Sequence, residues 1–295
     1  MRLLPAFVIL AALGGGAGWY LSGPDALPSA ALAGITGDAV AGSTVFAAAG
    51  CASCHTAPEA AASDTPVLSG GKRFASAFGT FVAPNISPSP AGIAEWTDAQ
   101  IITAVMRGVS PEGRHYYPAF PYDAYAKANP QDIADLVAYL RTLPADAASS
   151  APHELGFPFN IRRAVGLWKV LFRSDAFVVT GALTPQQARG RYLAEALGHC
   201  GECHTPRNAL GGLDRTRWLA GAPNPSGEGR IPDITPGRLQ WTEAGIAEYL
   251  KSGFTPDFDT AGGEMAEVVR NTARLTDADR AAIAAYLKIV PASGG

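Results

Sequence analysis

Two five-residue units hold every cysteine of the chain: Cys51-Ala-Ser-Cys54-His55 and Cys200-Gly-Glu-Cys203-His204. On a helix, positions i, i+3 and i+4 share a face. Two thiols so placed can form thioethers with the vinyl carbons of a porphyrin while the adjacent histidine reaches the iron, which is the c-type haem attachment pattern. A zinc site prefers cysteine pairs closer together and does not fix a histidine after each. A redox dithiol needs a strand–helix setting that is missing here, and a disulfide across three residues is strained. With no cysteine left over, the pattern predicts two covalently bound haem c groups on Cys51, Cys54, Cys200 and Cys203, with His55 and His204 on the two irons.

A haem iron usually takes a sixth ligand, and methionine raises its potential. Apart from Met1 the chain has two methionines. Met265, in Gly262-Gly263-Glu264-Met265, falls 12 residues past Gly253 and is the expected sixth ligand of the second haem. At the equivalent place in the first half stands Phe120, which cannot donate to iron. The sixth position of the first haem is therefore open among His115, a vacant or Phe120-capped iron, Tyr116 or Tyr117, and Met106. His115 is the tentative ligand. Met106 corresponds to Lys251 and is expected at the surface. His153 and His199 fall in neither the segment of Met265 nor that of Phe120 and read as solvent-facing or structural.

The elements around these residues form an internal repeat. Asn85-Ile86-Ser87-Pro88 recurs as Asp233-Ile234-Thr235-Pro236, Trp96-Thr97-Asp98-Ala99 as Trp241-Thr242-Glu243-Ala244, and Ala138-Tyr139-Leu140 as Ala285-Tyr286-Leu287, all at offsets of 145 to 149 residues. Thr97 and Thr242 read as helix N-caps and Gly108 and Gly253 as left-handed stops. The last helices are expected at about 132–143 and 277–289, each ending before proline. Loops rich in proline and glycine run between them. The chain divides into an N-terminal membrane anchor or signal (1–24), a first domain (36–146), a connector with an amphipathic helix (147–180) and a second domain (181–295). The fold class is all-α: two tandem class I cytochrome c-like domains behind an N-terminal transmembrane helix.

Composition narrows the function. Of 295 residues 47% are hydrophobic and 17% charged, with a net charge of −3. That is globular, not disordered, and gives nucleic acid no basic face. From Leu3 to Pro24 no charge interrupts the chain, a run long enough to cross a bilayer core of about 30 Å. Arg2 precedes it and Trp19 and Tyr20 close it, as positive-inside orientation and an interfacial aromatic belt require. A cleaved signal ending near Ala31-Leu32-Ala33 is the competing reading. Either places the haem domains outside the cytoplasm. In the connector, the Asn160–Phe172 segment alternates apolar Ile161, Val165, Trp168, Leu171 and Phe172 with basic Arg162, Arg163, Lys169 and Arg173. It suits a membrane surface or a helix packed between domains.

With its two Cys-x-x-Cys-His motifs, Asn85-Ile86-Ser87-Pro88, Gly113-Arg114-His115-Tyr116-Tyr117-Pro118, Gly263-Glu264-Met265 and the paired Ala-Tyr-Leu helices, the chain resembles membrane-associated bacterial dihaem c-type cytochromes. It looks like the cytochrome c subunits of periplasmic alcohol and gluconate dehydrogenases. Those subunits generally carry three haems and a methionine where Phe120 stands. The resemblance implies a non-catalytic electron carrier at the outer face of the cytoplasmic membrane. Its expected donors are a dehydrogenase or a quinol-oxidising complex, and its acceptors a terminal oxidase or a soluble cytochrome. No nucleotide loop or acid–base constellation points to independent substrate chemistry. The alternative is a haem enzyme of peroxidase or thiosulfate dehydrogenase type, or a gas-binding protein, using an open first haem.

Overall fold

In each half of the protein two helices cross so closely that a glycine is required at the crossing. In the first half α1 (Ala39–Ala49) packs on α5 (Pro130–Leu140). Gly42 lies over the carbonyl of Asp135, where a Cβ would come within 1.9 Å of the oxygen. In the second half α7 (Pro185–Arg191) packs on α11 (Asp277–Leu287), and a Cβ on Gly190 would fall 1.8 Å from the carbonyl oxygen of Ala282. Tyr139 and Tyr286, the tyrosines of the repeated Ala-Tyr-Leu sequences, flank these crossings.

The remaining elements follow in the order α2 (Cys51–His55), β1 (Arg73–Ser76), β2 (Gly79–Val82), α3 (Asp98–Arg107), α4 (Tyr122–Tyr125), β3 (Glu154–Leu155), α6 (Ala164–Phe172), α8 (Gly201–His204), β4 (Ala222–Pro223), β5 (Arg230–Ile231), α9 (Glu243–Ser252) and α10 (Glu264–Thr272). The computed structural model describes residues 14–61, 63–225, 227 and 229–292.

The caps read from the sequence are present. Thr97 forms a reciprocal capping box with Gln100, and Thr242 accepts from the Gly245 amide at 3.1 Å. Gly108 and Gly253 end α3 and α9 with φ of 61° and 79°. These short helices bury large apolar side chains, including Phe46, Leu68, Ile133, Val137, Leu193, Leu197 and Tyr286. Each contributes roughly 1.5–3 kcal/mol of transfer free energy, and together they form a core continuous across both halves.

Two expectations change. The fold is not purely α: β1 and β2 form an antiparallel hairpin (Arg73↔Val82 to Ser76↔Gly79), β3 extends it, and β4 pairs with β5. The strands are two to four residues long. The hairpin of β1 and β2 and the pair of β4 and β5 satisfy backbone groups where the chain doubles back between a haem motif and the next helix, and β3 comes from the connector. Met106 is buried at 5% exposure, not at the surface. Four residues after Ile102, it shares that residue's inward face.

Residues 1–13, most of the expected anchor, lie outside the described residues, and residues 14–21 are helical. Among the described residues no helix is long and apolar enough to cross a membrane.

The connector packs on both halves. Lys169 on α6 donates to the carbonyls of Arg107 and Gly108 in the first half. In the second half Trp168 donates to Leu210 O at 2.9 Å and Phe172 lies against Gly212.

Candidate haem-binding sites

Each attachment motif starts at a break in a helix. Gly50, at φ 63°, ends α1 and caps α2. In the second half a π-helical turn, Tyr192–Leu197, prolongs α7, and His199 occupies the place of Gly50 with φ 40°. A non-glycine residue there is uncommon. It is held from the other half: the His199 Nε2 lies 3.3 Å from Ala49 O and its ring 5.7 Å from that of Tyr125. His199 is thus structural. So is His153, whose Nδ1 accepts from the Val82 amide at 3.1 Å.

The two motifs then follow the same path. His55 O accepts from Gly70 N at 2.6 Å, and His204 O from Gly221 N at 2.7 Å. Ile86 N donates to Leu68 O and Ile234 N to Leu219 O, both at 3.0 Å. His55 Nδ1 stands 2.8 Å from Pro84 O, and His204 Nδ1 stands 2.8 Å from Pro232 O. A carbonyl only accepts, so Nδ1 carries the hydrogen in both rings and Nε2 keeps its lone pair. Such a bond fixes the tautomer and raises the basicity of a metal-binding imidazole. Burial lowers the pKa of both histidines, keeping them neutral.

The four cysteines are unbridged. Burial pushes the Cys51 and Cys200 thiols up to about 12 and Cys203 to about 11, and raises Cys54 as well. Burial thus favours the protonated thiol at all four positions. Among the described residues no group of three or more His, Cys, Asp or Glu could hold a bare metal ion. Paired thiols one helical turn apart, beside an imidazole with a fixed free Nε2, fit covalently attached haem in both halves.

On the sixth-ligand side the halves differ. Met265 stands near the start of α10, partly buried against the core. The ends of α10 are tied down on both sides. Glu264 pairs with Lys72 of the first half at 3.2 Å, and Asn271 donates to Ser53 Oγ, inside the first motif, at 2.7 Å. Buried Arg280 donates to the carbonyls of Thr272, Ala273 and Leu275 at the far end of α10.

In the first half, Phe120 packs among Tyr116, Tyr122 and Tyr125 with ring centroids 5.9 to 6.3 Å apart. His115 is 3% exposed. Its Nε2 lies 3.0 Å from Ser22 O, and its Nδ1 is buried without a partner.

Sequence reasoning missed Pro84 and Pro232. They immediately precede the repeated Asn85-Ile86 and Asp233-Ile234, and that repeat was the available signal. Asn85 itself is a loop tie, donating to Asp146 O and Ala148 O and accepting from Ser87 N.

Helical wraps built twice around a Cys-x-x-Cys-His motif, each with an oriented histidine, define a dihaem c-type cytochrome. The chain belongs to the cytochrome c family, whose model matches residues 39–144 and 187–290. It is 56% identical over 292 residues to a diheme cytochrome c-type protein of Cereibacter sphaeroides, covering 99% of both chains. It is 40% identical to the fructose dehydrogenase cytochrome subunit of Gluconobacter japonicus over 83% of this chain and 51% of that one. It is 32% identical to the gluconate 2-dehydrogenase cytochrome c subunit of Pantoea cypripedii over 81% of this chain and 56% of that one. The chain thus spans about half the length of these dehydrogenase subunits. It carries two covalently bound haem c groups, one in each cytochrome c domain.

Proposed function

We propose that this dihaem cytochrome carries electrons at the outer face of the cytoplasmic membrane. Its donor is a dehydrogenase subunit or a quinol-oxidising complex, and its acceptor a terminal oxidase or soluble cytochrome. The run from Leu3 to Gly23 serves as a single membrane anchor, with the haem domains in the periplasm. The observation that carries the reading is the matched pair of proximal histidines, each donating Nδ1–H to a proline carbonyl.

When bound, the haems supply one-electron exchange between ferrous and ferric iron. The chain supplies the rest. Cys51, Cys54, Cys200 and Cys203 prevent cofactor loss outside the cell, and His55 and His204 present an oriented Nε2. Met265, on a helix secured at both ends, would supply the sixth ligand of the second haem. A rigid ligand set lowers the rearrangement that accompanies each electron. Likeness to cytochrome subunits of fructose and gluconate dehydrogenases supports a dehydrogenase as donor.

Phe120 sustains a second reading, a haem enzyme or gas-binding protein. With Nε2 engaged by Ser22 O, His115 offers its unpartnered Nδ1 to the first haem, and Phe120 offers an aromatic cap. A redox titration of the purified protein, with and without carbon monoxide, tests both. The expected result is two one-electron waves with no carbon monoxide shift at the second haem. Absence of carbon monoxide binding at either haem removes the catalytic and gas-binding readings, whereas binding at the first haem alone establishes an accessible iron. Met265→Ala is expected to abolish the methionine-to-iron charge-transfer band; survival of the band overturns the assignment of the second haem.

A further inference from the structure

Helix α6 is built inside out. Its cation Lys169 turns inward and donates to Arg107 O and Gly108 O at 2.6 and 2.7 Å. Arg162, just before it, donates to His115 O and lies over the Tyr117 ring, and Arg163 stacks on Trp19 at 4.2 Å. The outward face is left to Leu167, Val170 and Leu171, exposed at 47%, 54% and 67%. At spacings of three and four residues they form one stripe, and an exposed apolar stripe on a folded body marks an interaction surface.

The neighbouring chain shows what covers it. Trp19 and Leu21, 68% and 60% exposed, close the charge-free run that begins at Leu3. This exit point is fixed to α6. Ser22 O is bonded to His115 and lies so close to Gly166 that a Cβ there would fall 2.2 Å away. Upstream, residues 14–17 are exposed, and Gly14, Gly15 and Gly16 have nothing within 4 Å, so the chain leaves the body at Trp19. Any bilayer that receives the apolar run therefore begins beside the apolar stripe of α6.

We propose that α6 lies in the bilayer interface with Leu167, Val170 and Leu171 among the acyl chains, as a second attachment beside the anchor. The proposal rests on the anchor reading above. A stripe along a helix fixes the tilt of the dihaem body over the membrane, which a single span does not.

The test uses the full haem-loaded chain in liposomes of phosphatidylcholine and phosphatidylglycerol. Nitroxides are placed by Leu171→Cys, with Val170→Cys as a second variant, by Val8→Cys in the anchor and by Glu243→Cys on the second domain. The native cysteines, held in thioethers, do not react. The expected result is that labels at 171 and 170 gain accessibility to oxygen and lose several-fold in accessibility to a water-soluble nickel chelate, while the label at 243 stays aqueous. Labels at 171 and 170 that stay aqueous while Val8→Cys reports lipid overturn this inference and leave the anchor standing. A label at 8 that stays aqueous overturns the anchor and this inference with it. Shielding at 171 that requires an added purified dehydrogenase overturns the lipid assignment in favour of a protein interface.

Discussion

Placing a methyl group at either helix crossing tests how far the haem sites depend on the helices behind them. In Gly42→Ala the Cβ would meet Asp135 O at 1.9 Å and the carbonyl carbon at 2.5 Å. A carbon tolerates a carbonyl oxygen at roughly 3.3 Å, so α1 and α5 must part by roughly 1.4 Å. A gap of about 0.5–1 Å already forfeits a quarter to a half of each dispersion contact. Phe46, Ile133 and Val137 beside the crossing are 2%, 0% and 1% exposed, with no slack to absorb the shift. The expected cost is at the upper end of overpacking, about 3 kcal/mol. At roughly 2–4 °C per kcal/mol for a chain of this class, the midpoint falls by roughly 6–12 °C. Gly190→Ala adds a second signature. Tyr286, which it displaces, accepts from Trp218 Nε1 and donates to Glu195, and the Trp218 ring lies against Gly201 inside the second motif. Gly190→Ala therefore perturbs the spectrum of the second haem and Gly42→Ala does not. The assay is thermal unfolding of the oxidised protein by circular dichroism, with haem absorption followed in parallel. Gly156→Ala, with nothing within 4 Å, is the control and leaves the midpoint unchanged. A loss below about 1 kcal/mol for Gly42→Ala would refute the argument, since surface substitutions stay within about 0.5 kcal/mol.

Three further outcomes follow from the same contacts. Glu195→Gln places an amide NH2 among three donors, Val178 N, Val179 N and Tyr286 OH, and is expected to cost about 1–3 kcal/mol in chemical denaturation; an unchanged midpoint would contradict it. Thr97→Ala removes two bonds of the hydroxyl, the one it accepts from Gln100 N and the one it donates to Gln100 Oε1, and keeps the Thr97 amide on Gln100 Oε1, whereas Thr242→Ala removes one, because Gly245 stands where Gln100 does. The first is expected to lose about 1 kcal/mol and the second less, and the reverse order in urea titrations would be a failure. Burial holds the His153 pKa below the ordinary value while its Nδ1 accepts from Val82 N. The unfolded chain takes up this proton near about pH 6.5 and the folded chain only at lower pH. Stability is therefore flat in this group above that value and falls as the pH drops below it. In His153→Asn the urea midpoint should decline less steeply with acid, by up to one proton; an identical slope would count against the assignment.

The features legible in the sequence are those written in local side-chain chemistry. Thr97 and Gly108 announce the ends of α3, and the spacing of Cys51, Cys54 and His55 announces a porphyrin, because each depends only on neighbours in the chain. The proline carbonyls that orient His55 and His204 have no side-chain signature, and only the repeat that follows each proline marks their place. The hairpin of β1 and β2 was missed because four-residue strands are too short to display alternation. Met106 was misplaced by borrowing the exposure of Lys251, although pseudo-equivalent helices need not bury the same arc. The helical pattern of α6 was readable, but not which face turns inward; the carbonyls that claim Lys169 come from α3, some 60 residues away in the chain.

The bonds from Ser53 to Asn271 and from Lys72 to Glu264 have a consequence for the ancestry of the molecule. A duplicated gene begins as two self-sufficient copies, yet here one copy has come to brace the helix of its sister that carries Met265. Separating the halves would strand Asn271 and Glu264 without their counterparts and leave α10 with the bonds from Arg280 at its far end. The two halves are thus joined through α10 as well as through the connector.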